Sequence, residues 1–173
     1  MAKKTAETTV KHTTPAKKLA EALMERSAAV KKLESLKDRA ATSAIYQEGS
    51  KPAEDLAALL AEHAEVLAEY ETLVRQINIT NAVTLMPDGT TLTAALARRD
   101  ALKLEHGLYT SVANAAVGED RYGWGARRTK SELKTLATIQ VGELQKKADE
   151  AAKAHRELDV AIQQLNWSTD LKD

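Results

Sequence analysis

The feature that most constrains this chain is a row of side chains between residues 56 and 77. Leu56, Leu60, His63, Leu67, Tyr70, Val74 and Ile77 recur with gaps that alternate between four and three. An α-helix turns once in about 3.6 residues, so this spacing holds them all near one face. The same alternation returns in Val141, Leu144, Ala148, Ala151, His155, Leu158, Ile162 and Leu165. Seams of this kind belong to coiled coils and antiparallel bundles. A helix of such length is about 40 Å long, a rod rather than part of a compact globule.

Two further helical segments frame the first row. Thr14-Pro15 reads as an N-cap and first-turn proline, opening a helix to about Ile45 with Leu19, Leu23, Val30, Leu33, Ala40 and Ala44 on one face. Gln47 to Ser50 form a loop, and Ser50 and Pro52 open the second helix. After it, the β-prone runs Val83-Thr84-Leu85 and Thr90-Thr91-Leu92 flank Met86-Pro87-Asp88-Gly89, which has turn chemistry. This predicts a small β-hairpin at about 83–92. Thr93 is then expected to cap a third helix, laid antiparallel along the second, with Leu92, Ala95, Arg99, Leu102, His106, Tyr109, Ala113 and Ala116 as its stripe. Gly118 ends it, and residues 133–139 read as a short strand that can pair with the hairpin. The expected fold is mainly α, a bundle of about four helices in long antiparallel hairpins with that small β element.

Composition supports this reading. The chain has 173 residues, no Phe and no Cys, with abundant Ala and Leu. Lack of cysteine removes disulfides, thiolate nucleophiles and Cys-bound metal. No apolar run approaches the roughly 20 residues that span a bilayer, and no apolar stretch follows the first lysines as in a secretory signal. The expected compartment is the cytoplasm, with no membrane partner. Residues 1–14 form a basic, Thr-rich tail expected to be disordered, and 15–171 a single helical domain. Five lysines against one glutamate in the first 18 residues are too weak an electrostatic footprint to point to nucleic acid.

Catalytic signatures fail on spacing. No Glu stands three residues before a His, and there is no His-Glu-x-x-His. Gly118 and Gly123 have P-loop spacing, but Trp124 stands where a lysine must meet phosphate. Glu62 and Glu65 lack the following Glu-x-x-Asp of all-α nucleotide pyrophosphatases. His63, His106 and His155 fall on apolar stripes, but pairing the second and third helices sets His106 opposite about Tyr70, roughly 9 to 10 Å along the axis from His63. A metal needs all its nitrogens at about 2 Å, so no metal and no cofactor is expected.

Arg99 is more informative, because a guanidinium on a helix seam needs a partner. Asp100 points about 100° away around the helix, leaving Glu69, Gln76 or another subunit as candidates. Arg121, Arg127 and Arg128, with Tyr122 and Trp124, form a second basic set suited either to an interface or to an anionic ligand.

The segments KLAEALMER (18–26), INITNAV (77–83), DGTTLTAALARRDALK (88–103), DRY (120–122), ELQKKADEAAKAHRELDVAIQQLNW (143–167) and DL (170–171) resemble the DIP1984 family of bacterial proteins, many labelled "septicolysin". The resemblance runs in order from Lys18 to Leu171 and implies a mainly helical fold with little biochemistry. Asn78, Thr80, Asn81, Arg98, Arg99, Asp100, Arg121 and Tyr122 match its polar motif. The pore-former label does not fit a chain without Cys, without a Trp-rich insertion loop and without a long β-sheet domain.

Two functional expectations result. One is a self-associating structural or interaction protein, a homo-oligomer whose long seams expose more apolar surface than one chain covers. The other is a binder or enzyme acting on an anionic, phosphorylated small molecule. There Arg98, Arg99 and Arg121 hold the anion, Asp100 acts as acid or base, and Tyr122, Asn78 and Asn81 orient it. The state of Arg99 separates them: a paired guanidinium implies structure, an open one a ligand.

Overall fold

A computed structural model describes residues 16–117 and 138–173. They form four helices, α1 (Leu19–Ser43), α2 (Leu56–Val83), α3 (Leu92–Val117) and α4 (Val141–Ser168), and no strand among the described residues. The mainly helical class therefore holds. The partners do not. α1 packs along α2 and α3 along α4, whereas α2 approaches α3, and α1 approaches α4, only to a small extent. The expected antiparallel pairing of the second and third helices is overturned.

The result is two helical hairpins on a shared base. The base gathers Leu19 and Ala22 of α1, Ile77 of α2, Met86 of the connection, Leu92 and Ala95 of α3 and Ile162 of α4 in one cluster. Leu23, Leu73, Leu158, Leu165 and Leu171 pack around it. A separate cluster of Ala29, Leu36, Leu59 and Val66 fills the first arm, where Tyr70 packs at its side. Leu102 and Ala113 of α3 and Leu144, Ala148 and Ala151 of α4 are the buried positions of the second arm.

The seam positions expected for the fourth helix all lie at the seam or half buried, and those of α3 do so except for the exposed His106. The α2 stripe holds at Leu56, His63, Tyr70, Val74 and Ile77 but is shifted at two places. Leu59 and Val66 are buried, while their neighbours Leu60 and Leu67 are exposed. Two adjacent apolar residues at each place define two possible stripes one position apart, and only the partner helix decides which turns inward. In α1 likewise Ala29 and Leu36 are buried and Val30 faces out.

Helix starts also differ from expectation. α2 begins at Leu56, not near Pro52, because the Asp55 carboxylate accepts the N–H of Ala57 at 2.9 Å and of Ala58 at 3.4 Å. α1 begins at Leu19, where the Glu21 carboxylate accepts the Lys18 N–H at 2.8 Å. Thr91 rather than Thr93 caps α3, its hydroxyl accepting the Ala94 N–H at 3.2 Å.

Between α2 and α3 the expected turn is present, but the hairpin shrinks to a single bridge, Leu85 with Thr91. Val83 is still helical. The Gly89 N–H donates to the Met86 carbonyl at 2.9 Å, and Met86 N–H to the Thr90 carbonyl at 2.8 Å. Gly89 takes a φ of 86°, which a residue with a Cβ adopts only with strain. Asp88 accepts from both the N–H and the hydroxyl of Thr90, which holds its carboxyl below the usual range. The knot's work is to plant Met86 in the base while α2 and α3 diverge. The expected strand at 133–139 lies outside the described residues up to 137, and 138–139 form a bend.

Candidate functional site

The candidate polar residues of α3 begin about two turns after its Thr91 cap. Arg99 is three-quarters buried, and its guanidinium is already occupied. Nε and Nη2 donate to the Asp100 carboxylate at 3.1 and 2.9 Å, and Nη1 lies 3.5 Å from Asp159 of α4. The partner is thus neither Glu69 nor Gln76, because α2 leaves α3 beyond the turn. The long arginine stem bridges the angular offset to Asp100 that backbone geometry alone would forbid. Arg98 is exposed, 3.9 Å from Glu105. Asn78 is exposed and Asn81 half buried on the last turns of α2. Arg121 and Tyr122, like Trp124, Arg127, Arg128 and the basic tail, lie outside the described residues.

Thr80, which the sequence offered without a role, acquires one. It is fully buried, its hydroxyl donates to the Gln76 carbonyl at 2.7 Å and accepts the Lys172 N–H at 2.9 Å. The chain after α4 is tied down along its length. Leu19 N–H donates to the Thr169 carbonyl at 2.9 Å, Leu171 N–H to the Lys17 carbonyl at 2.8 Å, and Lys18 Nζ lies 2.6 Å from Asp170. Gln76 donates to Asp173. This strap joins the start of α1, the end of α2 and the end of α4.

Two cations of the first arm are also paired. Lys32 meets Glu62 at 2.8 Å and Arg39 forks onto Glu54 with Nε at 2.9 Å. Hydrogen bonding to these cations holds both carboxyls below their ordinary range. A groove of about 680 Å³ runs between α1 and α2, with Lys17, Glu25, Lys32 and Glu69 among its lining. Lys17, just before α1, and Glu25 on it are bonded at 2.6 Å.

The histidines divide between the arms. His63 lies on α2, whereas His106 and His155 line one groove between α3 and α4. No group of three or more His, Cys, Asp or Glu residues able to hold a metal occurs among the described residues. Sequence reasoning missed the convergence of His106 with His155 because it paired α3 with the wrong helix. The signal available was the i, i+3 spacing of Lys103 and His106 together with the adjacency of His155 and Arg156.

These features define a class: a protein of two helical arms on a common base, in which Thr80 is used in a clip and Arg99 in ion pairs. The chain belongs to a family of unknown function, DUF6847, whose profile matches residues 26–171. It is similar to a functionally unknown conserved protein from Corynebacterium diphtheriae, known as a crystal structure. The two share 42% identity over 91% of this chain and 99% of that one, with a TM-score of 0.83. No curated protein matches the chain.

Proposed function

We propose that this protein is a self-associating, non-catalytic helical protein whose arms dock against further copies of the same chain. The observation that carries the reading is an apolar stripe on α3 turned away from α4. Leu104, Leu108 and Val112 are spaced four apart and are 76%, 59% and 39% exposed. A second outward row on α2, Leu60 and Leu67, lies beside the seam with α1, each one residue after a buried position. A two-helix arm covers one face of each helix, and rows of large aliphatic groups on the other faces favour closed symmetric assembly. The resemblance to the DIP1984 family and a cytoplasmic working compartment belong to the same reading. Among the described residues no helix is long and apolar enough to cross a membrane.

Light scattering at micromolar concentration tests it. The wild type is expected as a defined oligomer, and Leu104→Asp with Leu108→Asp as a folded, smaller species. A monomeric wild type would remove the proposal. The alternative, an anion binder or enzyme using Arg98, Arg99, Asp100, Arg121 and Tyr122, draws less support because two carboxylates already hold Arg99. A thermal shift by sugar phosphates that vanishes in Arg121→Ala would restore it.

A further inference from the structure

The antiparallel packing of α3 on α4 brings together residues that lie about fifty positions apart in the chain. Lys103 and His106, one turn apart on α3, face Ala152, His155 and Arg156 of α4 across a groove of about 300 Å³. That volume is at the small end of the range for small-molecule sites. Its lining contains four nitrogen-bearing side chains and no carboxylate.

The neighbouring groove of the same arm is a useful control. It is lined by Arg98, Glu105, Tyr109, Lys147 and Glu150, among others. There each cation already has company: Arg98 lies 3.9 Å from Glu105, and Lys147 sits 5.7 Å above the Tyr109 ring. In the histidine groove, by contrast, neither Lys103 nor Arg156 has a carboxylate within 4 Å among the described residues. Asp149 and Asp159 stand on α4 about a turn beyond either side of the groove, and Asp159 is engaged by Arg99. Glu157, next to Arg156, lies 3.9 Å from Lys153.

Chemistry then selects the ligand. Two imidazoles alone can begin a metal site, but the other two groups here are an ammonium and a guanidinium, which repel a cation. Every one of the four offers N–H donors, and the guanidinium fork matches the oxygens of a phosphoryl group. Ala152, the remaining lining residue, adds no polar group. We propose that this groove binds a small phosphorylated or diphosphate anion through Lys103, His106, His155 and Arg156. All four come from one chain, so the site does not depend on self-association.

The test uses the full chain, with inorganic pyrophosphate as probe and the histidine ring protons followed by NMR. Expected is a saturable shift of the His106 and His155 signals, with His63 unmoved. Lys103→Ala with Arg156→Ala weakens binding by about tenfold or more, as befits lost hydrogen bonds to a charged group. Both side chains are exposed, so the variant keeps its fold, checked by circular dichroism. Arg98→Ala leaves binding unchanged, which separates this groove from the Arg98–Asp100 cluster. An equal shift with chloride at matched ionic strength would overturn the proposal. So would unaltered binding in the double variant, or tighter binding of zinc than of pyrophosphate.

Discussion

The base and the arms are built from the same helices by different rules. At the base, Leu19, Ile77, Leu92 and Ile162 come from four helices and are at most 1% exposed. Each is surrounded, and the strap seals the remaining side with backbone hydrogen bonds. In the arms one stripe meets one stripe, alanine fills many of the buried positions, and large aliphatics lie one residue outside the seam. The difference teaches that paired rods do not need a continuous core. Stability concentrates where four helices converge, and the arms are held by narrow seams and by ion pairs at their edges.

The largest effect should therefore come from the base. Ile77→Ala or Ile162→Ala is expected to cost about 2–5 kcal/mol, the usual range for truncating a fully buried aliphatic. Leu59→Ala in the first arm, a truncation of the same size, should cost less, read from the urea midpoints of all three. An arm variant as damaging as the base variants would break the contrast. Next comes the strap. Thr80→Val strands the part-buried Lys172 N–H and should cost about 1–3 kcal/mol, the range for a donor left without its acceptor. Hydrogen exchange checks the location: the Leu19, Leu171 and Lys172 amides should lose protection before the arm amides do.

A smaller loss, about 1 kcal/mol, is expected from Asp55→Ala, which removes the cap of α2 at the far end of the first arm. Exchange should then quicken at Ala57 and Ala58 and leave the base unchanged. The smallest effect is that of mild acid. Glu54 and Glu62 have folded pKa values below the ordinary 4.5, lowered first by hydrogen bonds from Arg39 and Lys32. Their contribution is full above that ordinary value and is lost as pH falls through the lowered one. Thermal melts from pH 6 downward should show the loss beginning below about pH 4.5. Arg39→Gln combined with Lys32→Gln should flatten it.

Much of the helical character was legible because leucine and alanine repeat at helical spacing for tens of residues. The α4 stripe was read correctly, its expected positions from Val141 to Leu165 all lying buried or half buried. The α2 stripe was read correctly at Leu56, His63, Tyr70, Val74 and Ile77 and misread at Leu60 and Leu67, because Leu59-Leu60 and Val66-Leu67 permit two registers. Arg99 was legible as a residue in need of a partner, yet the partner itself was not. Asp159 lies sixty residues away on a helix whose pairing with α3 no local pattern announces. The histidine groove was hidden for the same reason.

Periodicity along a single helix is a local property, fixed by 3.6 residues per turn, and the order of side chains by itself determined that rods would form, where the Pro-Asp-Gly turn would fall and which residues could line a seam. Which rod lies against which, which of two adjacent leucines turns inward, and which carboxylate reaches Arg99 were decided only by tertiary packing. The physical reason is that apolar stripes attract without direction. Any two can meet, and the choice falls to the turn that plants Met86, the strap that closes on Thr80, and the burial that all four helices achieve together.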